Sequence, residues 1–132
     1  MTQGRDAKLV LDTSAITAWV RGSVAVGETL AEINDENGAV IIPLWCLIEA
    51  GHNTAMIERE RLELLIAHPA TFLITDDAED WEALVALRAL TGRPDCASAA
   101  MLALDLGVDV MTSDPRWYKG VADGRIVLRI EE

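Results

Sequence analysis

The sequence of 132 residues has the length of one typical domain, and because 51% of it is apolar and only 5% aromatic, aliphatic side chains must supply most of the core. The formal net charge of −11 argues against a broadly basic nucleic-acid-binding surface, unless carboxylates hold cations and basic residues ring the site locally. The longest apolar run is interrupted by Pro43 and is too short to cross a bilayer, so we expect one soluble, cytoplasmic domain over residues 1–132 with no membrane partner. Cys46 and Cys96 lie outside any CxxC pair, and we expect both to be buried, reduced thiols.

The first third of the chain predicts a strand, two helices and a second strand. The run KLVL (Lys8–Leu11) is a short buried strand that ends at Asp12. Helical spacing of apolar residues follows over Thr13–Arg21 and again over Gly22–Asn37. The apolar run Ala39–Ile42 is then a second buried strand.

The middle of the chain repeats this alternation. Pro43 suits the first turn of a helix, and the apolar residues after it predict that this helix is largely buried. A further helix over Glu58–His68 ends before Pro69. The segment Thr71–Thr75 is rich in β-formers and predicts a third strand, and Ala78–Leu90 predicts the next helix.

The last third begins with Asp95, placed as the N-cap of an Ala-rich helix over Cys96–Leu106. Asp109–Thr112 predicts a fourth strand, which leads to the turn at Asp114. The alternating segment Arg125–Ile130 predicts an edge strand. Alternating strands and helices predict an α/β fold in which helices cover both faces of a mainly parallel sheet.

Four acids could converge in such a fold. Asp12 and Asp114 follow predicted strands, Asp95 opens the helix that leads into the last of them, and Glu49 lies on the apolar helix after Pro43. Ligand sites in open parallel sheets lie beyond the carboxyl ends of the strands. We therefore treat these acids as one candidate site.

Simpler roles account for each acid taken alone. The three aspartates could be ordinary N-caps that complement the helix dipole. Glu49 could belong to an exposed stripe with His52 and Asn53. Only the joint arrangement favours a site.

Four converging carboxylates would repel one another unless a hard cation lay between them. Oxygen ligands suit Mg²⁺ or Mn²⁺. Such an ion can activate water and neutralise charge on a phosphodiester, and a carboxylate can act as general base. This chemistry predicts a metal-dependent phosphodiesterase.

Three stretches resemble the PIN domain family, in particular VapC-type toxins of prokaryotic toxin–antitoxin pairs. LVLDTSAI resembles the opening strand with its first acid, Asp12. IIPLWCLIEAG resembles the second strand and the P-x₅-E helix that carries Glu49. GRPDCASAAMLALDLGVDVMTSD resembles the segment in which Asp95 opens a helix and a T-x-D turn ends at Asp114.

The resemblance implies a PIN-like α/β/α sandwich with four to five strands and an endoribonuclease that uses Mg²⁺ or Mn²⁺. It places the metal on the four acids and gives the Thr112 hydroxyl an assisting role, with Ser14 in a similar one. It also implies a VapB-like antitoxin whose C-terminal segment crosses the acidic pocket, and a homodimer. The four tryptophans could serve such interfaces, although core packing is the expected role of most: Trp19, Trp45, Trp81 and Trp117.

Substrate contacts are expected from basic residues near the motifs. Arg93, Arg116 and Lys119 each lie within a few residues of Asp95 or Asp114, where they could bind RNA phosphates. Each could equally be a solvated loop charge. Neither histidine has metal-ligand spacing, so a zinc site is not expected.

Three alternatives to the nuclease fit parts of the same sequence. A dehalogenase-like phosphatase needs an Asp two residues after Asp12, where Ser14 stands. A receiver domain needs paired acids at the first strand and a Lys after a late strand, but Lys119 lies beyond a proline turn. The alternative from a different class is a catalytically silent PIN-like module that acts through a partner or a repressor complex.

Overall fold

The computed structural model describes residues 2–131, apart from the side chain of Ile57. Within that range five strands form one sheet in the order β3-β2-β1-β4-β5, and every neighbouring pair is parallel. The strands are β1 (Asp6–Leu11), β2 (Gly38–Pro43), β3 (Thr71–Ile74), β4 (Asp109–Thr112) and β5 (Val127–Arg129). The predicted α/β class with a mainly parallel sheet of four to five strands is confirmed.

Helices flank this sheet. Across residues 2–131 the α-helices are α1 (Thr13–Val20), α2 (Val24–Asp35), α3 (Leu44–Asn53), α4 (Arg59–Ala67), α5 (Trp81–Thr91) and α6 (Pro94–Leu106). Short 3₁₀ turns lie at Met56–Glu58, Ala78–Asp80, Pro115–Tyr118 and Ala122–Gly124. In the described part of the chain, none of the helices is long and apolar enough to cross a lipid bilayer.

The core lies around the two central strands. Every residue of β2 is buried, as are the last three residues of β1, which is the pattern of strands covered on both faces. The Ala-rich helix α6 packs on β1, β2 and β4, because its small side chains allow close approach. Both cysteines are buried free thiols, as predicted.

The strand order reverses next to β1. The chain leaves β1 for β2 and β3 on one side, and it later places β4 and β5 on the other. The crevice at such a reversal, beyond the carboxyl ends of the strands, is where open α/β sheets hold ligands. Asp12 and Thr112 stand at the carboxyl ends of β1 and β4.

Two predicted positions were wrong. Asp95 is not the N-cap of α6: the helix begins at Pro94 with Arg93 as the N-cap, because the fixed φ of proline suits the first helical position. Asp95 therefore lies in the first turn. Pro43 has an extended backbone and pairs with Ile74, so it closes β2 instead of lying in the first turn of α3.

Candidate active site

Asp12 is fully buried between β1 and α1. Its Oδ1 accepts hydrogen bonds from the Ser14 hydroxyl at 2.6 Å and from the Ala15 N–H at 3.0 Å. Its Oδ2 accepts from the Tyr118 hydroxyl at 2.7 Å. Burial raises the pKa of Asp12 above its usual value despite these donors. Asp12 is thus an N-cap, as the simpler interpretation predicted, and also the centre of a buried polar network.

Asp95 is buried at the start of α6 and forms a bidentate ion pair with Arg93. Arg93 Nε and Nη2 donate to its two carboxylate oxygens, each at 3.0 Å, and the Thr13 hydroxyl donates at 2.5 Å. Burial acts to raise the pKa of Asp95, but Arg93 and Thr13 outweigh it and lower that pKa. The carboxylate is therefore ionised at neutral pH.

Hydroxyl groups link Asp12 to the turn after β4. The Ser14 and Thr112 hydroxyls lie 3.2 Å apart, and the Ser113 N–H donates to Ser14 Oγ at 2.9 Å. The Asp114 N–H donates to Thr112 Oγ1 at 3.0 Å. Ser14 and Thr112 thus join residues that are about a hundred positions apart in sequence.

Asp114 directs its carboxylate to Arg116. Arg116 Nε and Nη2 donate to its two oxygens at 2.9 and 3.2 Å. These bonds lower the pKa of Asp114. Asp114 is the N-cap of the 3₁₀ turn Pro115–Tyr118, but its side chain makes no capping hydrogen bond there.

Glu49 lies half-buried on α3. The backbone carbonyl of Cys46, one turn earlier, accepts a hydrogen bond from the Thr13 hydroxyl. The Cys46 thiol donates to the Asp95 carbonyl at 3.3 Å. Positions 46, 49 and 53 share a helix face by their spacing, and Asn53 lines the same cleft as Thr13. Among residues 2–131 the Glu49 carboxylate has no side-chain hydrogen bond or ion pair.

The three basic residues expected at the substrate differ in position. Arg93 lies between Asp95 and Trp117, whose ring centre is 4.4 Å from the guanidinium carbon. Arg116 is exposed and paired with Asp114. Lys119 is exposed, and within the described chain it pairs with neither Asp95 nor Asp114.

Comparison with known proteins identifies the fold family. The family model for the PIN domain matches residues 9–122, which is most of the chain. The chain belongs to the PIN family. No curated protein matches this PIN domain in sequence.

A solved structure has the same fold. The crystal structure of PAE2754 from Pyrobaculum aerophilum is similar, with a TM-score of 0.67 over 95% of this chain and 92% of that chain, at 14% sequence identity. At this identity the likeness shows a shared fold. PIN domains are generally nucleases, and they typically bind divalent metals.

The four acids of this PIN domain have the donor chemistry of a hard-cation site, because all of their donor atoms are oxygens. No group of three or more His, Cys, Asp or Glu side chains in residues 2–131 is close enough to hold one ion. Both carboxylate oxygens of Asp95 accept hydrogen bonds from Arg93, and both of Asp114 accept them from Arg116. The donors fit a divalent metal, provided that Arg93 and Arg116 release them.

Sequence reasoning missed several residues of this site. Tyr118 is fully buried and donates to Asp12 across 106 positions, and Thr13 bonds to Asp95 across 82. Arg21 and Asn53 line the cleft beside Ser14. The one available signal was local: Tyr118 follows the T-x-D turn, and Thr13 adjoins the first acid.

Proposed function

We propose that this PIN domain is a metal-dependent endoribonuclease and that it is the VapC-type toxin of a type II toxin–antitoxin pair. One observation carries the nuclease proposal. Asp12, Asp95 and Asp114 come from three separate elements and are tied together by the hydroxyls of Thr13, Ser14 and Thr112 at the switch point of the sheet. Acids that served only their own helices or turns would have no reason to be joined in this way.

Asp12, Glu49, Asp95 and Asp114 would hold Mg²⁺ or Mn²⁺ in this proposal. The bound ion would supply a water of lowered pKa and neutralise charge on the phosphoryl oxygens. Ser14 and Thr112 fix the orientation of Asp12 and of the turn at Asp114. Their role is positional, because hydroxyls held by short bonds keep carboxylates within the tolerance that catalysis needs.

The arginines have two roles in turn. While Arg93 and Arg116 pair with Asp95 and Asp114, they neutralise these two of the four carboxylates. If the carboxylates held a cation instead, both guanidinium groups would be available to phosphate oxygens, for which their planar geometry is suited.

Two separate surfaces support the proposed partners. An antitoxin Arg or Lys could replace Arg93 or Arg116 at the carboxylates, because the same charge-assisted bonds are available to it. Two of the four tryptophans, Trp45 and Trp81, are 51% and 61% exposed, which departs from the expected core role. Together with Val85 they line an apolar groove of about 310 Å³, and an exposed apolar patch of this kind favours a homodimer.

The test is cleavage of RNA by protein freed of any antitoxin. Purified wild type is incubated with total RNA in Mg²⁺ or Mn²⁺, beside Asp12→Asn, Glu49→Gln and an EDTA control. Asp35→Asn is the matched control, because Asp35 is exposed at the end of α2. We expect discrete products from wild type and Asp35→Asn only, since the removal of a ligand charge disrupts the site.

A second function is favoured by one specific observation. Because Arg93 and Arg116 already satisfy Asp95 and Asp114, the domain could be a silent module that acts through a partner. Intact RNA in all arms, with metal binding verified by calorimetry, would refute the nuclease and leave this module as the better account. Products of equal yield from wild type and both site variants would point to a contaminating nuclease.

A further inference from the structure

The two carboxylate oxygens of Asp12 are unequally occupied. Oδ1 accepts two hydrogen bonds, from the Ser14 hydroxyl and the Ala15 N–H, whereas Oδ2 accepts one, from the Tyr118 hydroxyl. An ionised carboxylate has about four lone-pair positions, two on each oxygen. Within residues 2–131, Oδ2 is therefore the oxygen of Asp12 that can still accept a further partner.

The turn that begins at Asp114 carries Tyr118 to this oxygen. The 3₁₀ turn runs over Pro115–Tyr118, and it is closed by a hydrogen bond of 3.1 Å from the Trp117 N–H to the Asp114 carbonyl. The Tyr118 side chain then crosses to Asp12 at the end of β1. One hydroxyl thus joins the turn after one candidate metal ligand to the strand end that carries another.

The Tyr118 hydroxyl has little freedom to move. The side chain is 0% exposed and is the largest fully buried one among the described residues, and the Cys96 thiol lies beside its hydroxyl. A ring that is close-packed on all sides cannot swing away from its partner. An O–H that donates to a carboxylate also makes a bond roughly twice as strong as one between neutral groups. Tyr118 therefore fixes the direction in which Oδ2 points.

Divalent ions differ in how far they depend on such a fixed direction. Mg²⁺ demands a nearly ideal octahedron of ligands at short distances, whereas Ca²⁺ accepts irregular coordination by about six to eight oxygens. Hydrogen bonds that orient a ligating carboxylate typically change metal affinity by about 10–100-fold. Loss of the Tyr118 bond should therefore weaken the binding of Mg²⁺ more than that of Ca²⁺.

We propose that Tyr118 is a positioning residue that orients Oδ2 of Asp12 and thereby favours Mg²⁺ over Ca²⁺ at the site. This inference rests on the proposed function, which places the metal on the four acids. It gives the buried hydroxyl a role in the choice of ion. A tyrosine that only stabilised the fold would leave the ratio of the two affinities unchanged.

Tyr118→Phe tests this role, because it removes only the hydroxyl oxygen. Isothermal titration calorimetry of wild type and variant with MgCl₂ and with CaCl₂ gives the dissociation constants without any RNA. We expect the variant to bind Mg²⁺ about tenfold more weakly and Ca²⁺ less than about twofold more weakly. The preference for Mg²⁺ should therefore fall by about fivefold or more.

Thr71→Val is the matched control. Thr71 is a buried residue of β3 whose hydroxyl donates to the Leu65 carbonyl at 2.6 Å, so its loss also removes a buried hydrogen bond. We expect a lower melting temperature with both ion affinities unchanged. If Tyr118→Phe behaves in the same way, or loses Mg²⁺ and Ca²⁺ affinity equally, the proposal is wrong.

A second measurement uses the wild-type side chain. Tyr118 is the only tyrosine of the sequence, so a ¹³C label at tyrosine Cζ gives a single NMR signal. A cation on Asp12 withdraws charge from the oxygen that accepts the hydroxyl, so the signal should move during a Mg²⁺ titration, with a midpoint at the calorimetric dissociation constant. It should stay fixed in Asp12→Asn.

The outcomes separate this inference from the function on which it rests. A fixed Tyr118 signal in wild type, while calorimetry shows Mg²⁺ bound, would overturn the positioning role and leave the metal site in place. Absence of Mg²⁺ binding by wild type would overturn both the positioning role and the proposed metal dependence.

Discussion

At the scale of single residues, two carboxylates of the site, Asp95 and Asp114, are neutralised by arginines close to them in sequence. Arg93 and Arg116 each stand two positions from the acid that they hold. Asp95 is only 1% exposed, and a buried carboxylate without a partner is costly. The Arg93 pair should therefore matter for folding as well as for function.

Arg93→Gln should lower the free energy of unfolding at pH 7 by about 2 kcal/mol, because Asp95 keeps only the Thr13 hydroxyl as a side-chain donor. The pKa of Asp95 is lowered in the folded protein, so its stabilisation is present above the unfolded pKa and is lost as the pH falls through the folded value. The difference between wild type and variant should therefore shrink below about pH 4. Urea unfolding at several pH values measures it.

The control for that experiment is Arg125→Gln. Its partner Asp123 lies 3.7 Å away, and both side chains are largely exposed, so no measurable change is expected. If both substitutions lower the free energy of unfolding equally, or if the effect of Arg93→Gln does not depend on pH, the buried pair does not stabilise the folded protein through ionised Asp95.

The sequence predicted the residues of the site better than their contacts. Asp12 and Asp114 were placed correctly beyond strand ends, since buried runs mark the strands plainly. The partners of these acids were less visible, because Tyr118 reaches Asp12 through the tertiary fold and no local pattern encodes that bond. The metal and RNA roles of the site residues stay predictions.

At the scale of elements, the start of β2 depends on a residue without a side chain. Gly38 is buried, and a Cβ there would lie 2.7 Å from Lys8 Cγ and 2.9 Å from Ile33 Cγ2. Lys8 is flexible, but Ile33 belongs to the core. This close approach lets α2 turn directly into β2 and pair it with β1.

Gly38→Ala should therefore lower the free energy of unfolding by about 1–3 kcal/mol, because the core must shift to admit a methyl group. Gly27→Ala is its counterpart: Gly27 lies inside α2 with no atom within 4 Å of an added Cβ, and alanine there should stabilise by about 0.5–1 kcal/mol. Thermal and urea unfolding of both variants would check the signs. Stabilisation by both would show that β2 tolerates the shift.

The type of each helix or strand was predicted correctly where the hydrophobic periodicity was strong. The residues at which these elements begin and end were predicted less well. The helix expected over Gly22–Asn37 is α2 over Val24–Asp35, since Ser23 accepts from the Val26 N–H and starts the helix there. The edge strand expected over Arg125–Ile130 is reduced to β5, because only three residues pair with β4. The short 3₁₀ turns have too few residues to produce a period.

At the scale of the whole molecule, the net charge of −11 opposes compaction and favours cations. Screening by salt should stabilise any protein of this charge. Specific binding of a divalent ion to the folded protein adds a stabilising free energy that grows with the ion concentration. It reaches about 2.7 kcal/mol when the free ion is at a hundred times its dissociation constant.

MgCl₂ should therefore raise the melting temperature more than NaCl does at equal ionic strength. The excess should vanish in a variant with Asp12→Asn and Asp95→Asn, whose overall charge is still strongly negative. Differential scanning fluorimetry measures both. Identical curves for the two salts in wild type would refute specific metal binding and leave only screening.

The strand order also decides when activity can begin during synthesis. β1 is translated before β4, yet one of its edges pairs with β4. Asp12 accepts hydrogen bonds from Tyr118 and from Ser14, and the Ser14 hydroxyl in turn contacts that of Thr112. A nascent chain that stops before Asp109 has Asp12 and Ser14 but lacks strand β4 and the hydroxyls of Thr112 and Tyr118. Since domains fold as units while they leave the ribosome, the complete site forms only after Tyr118 has been translated.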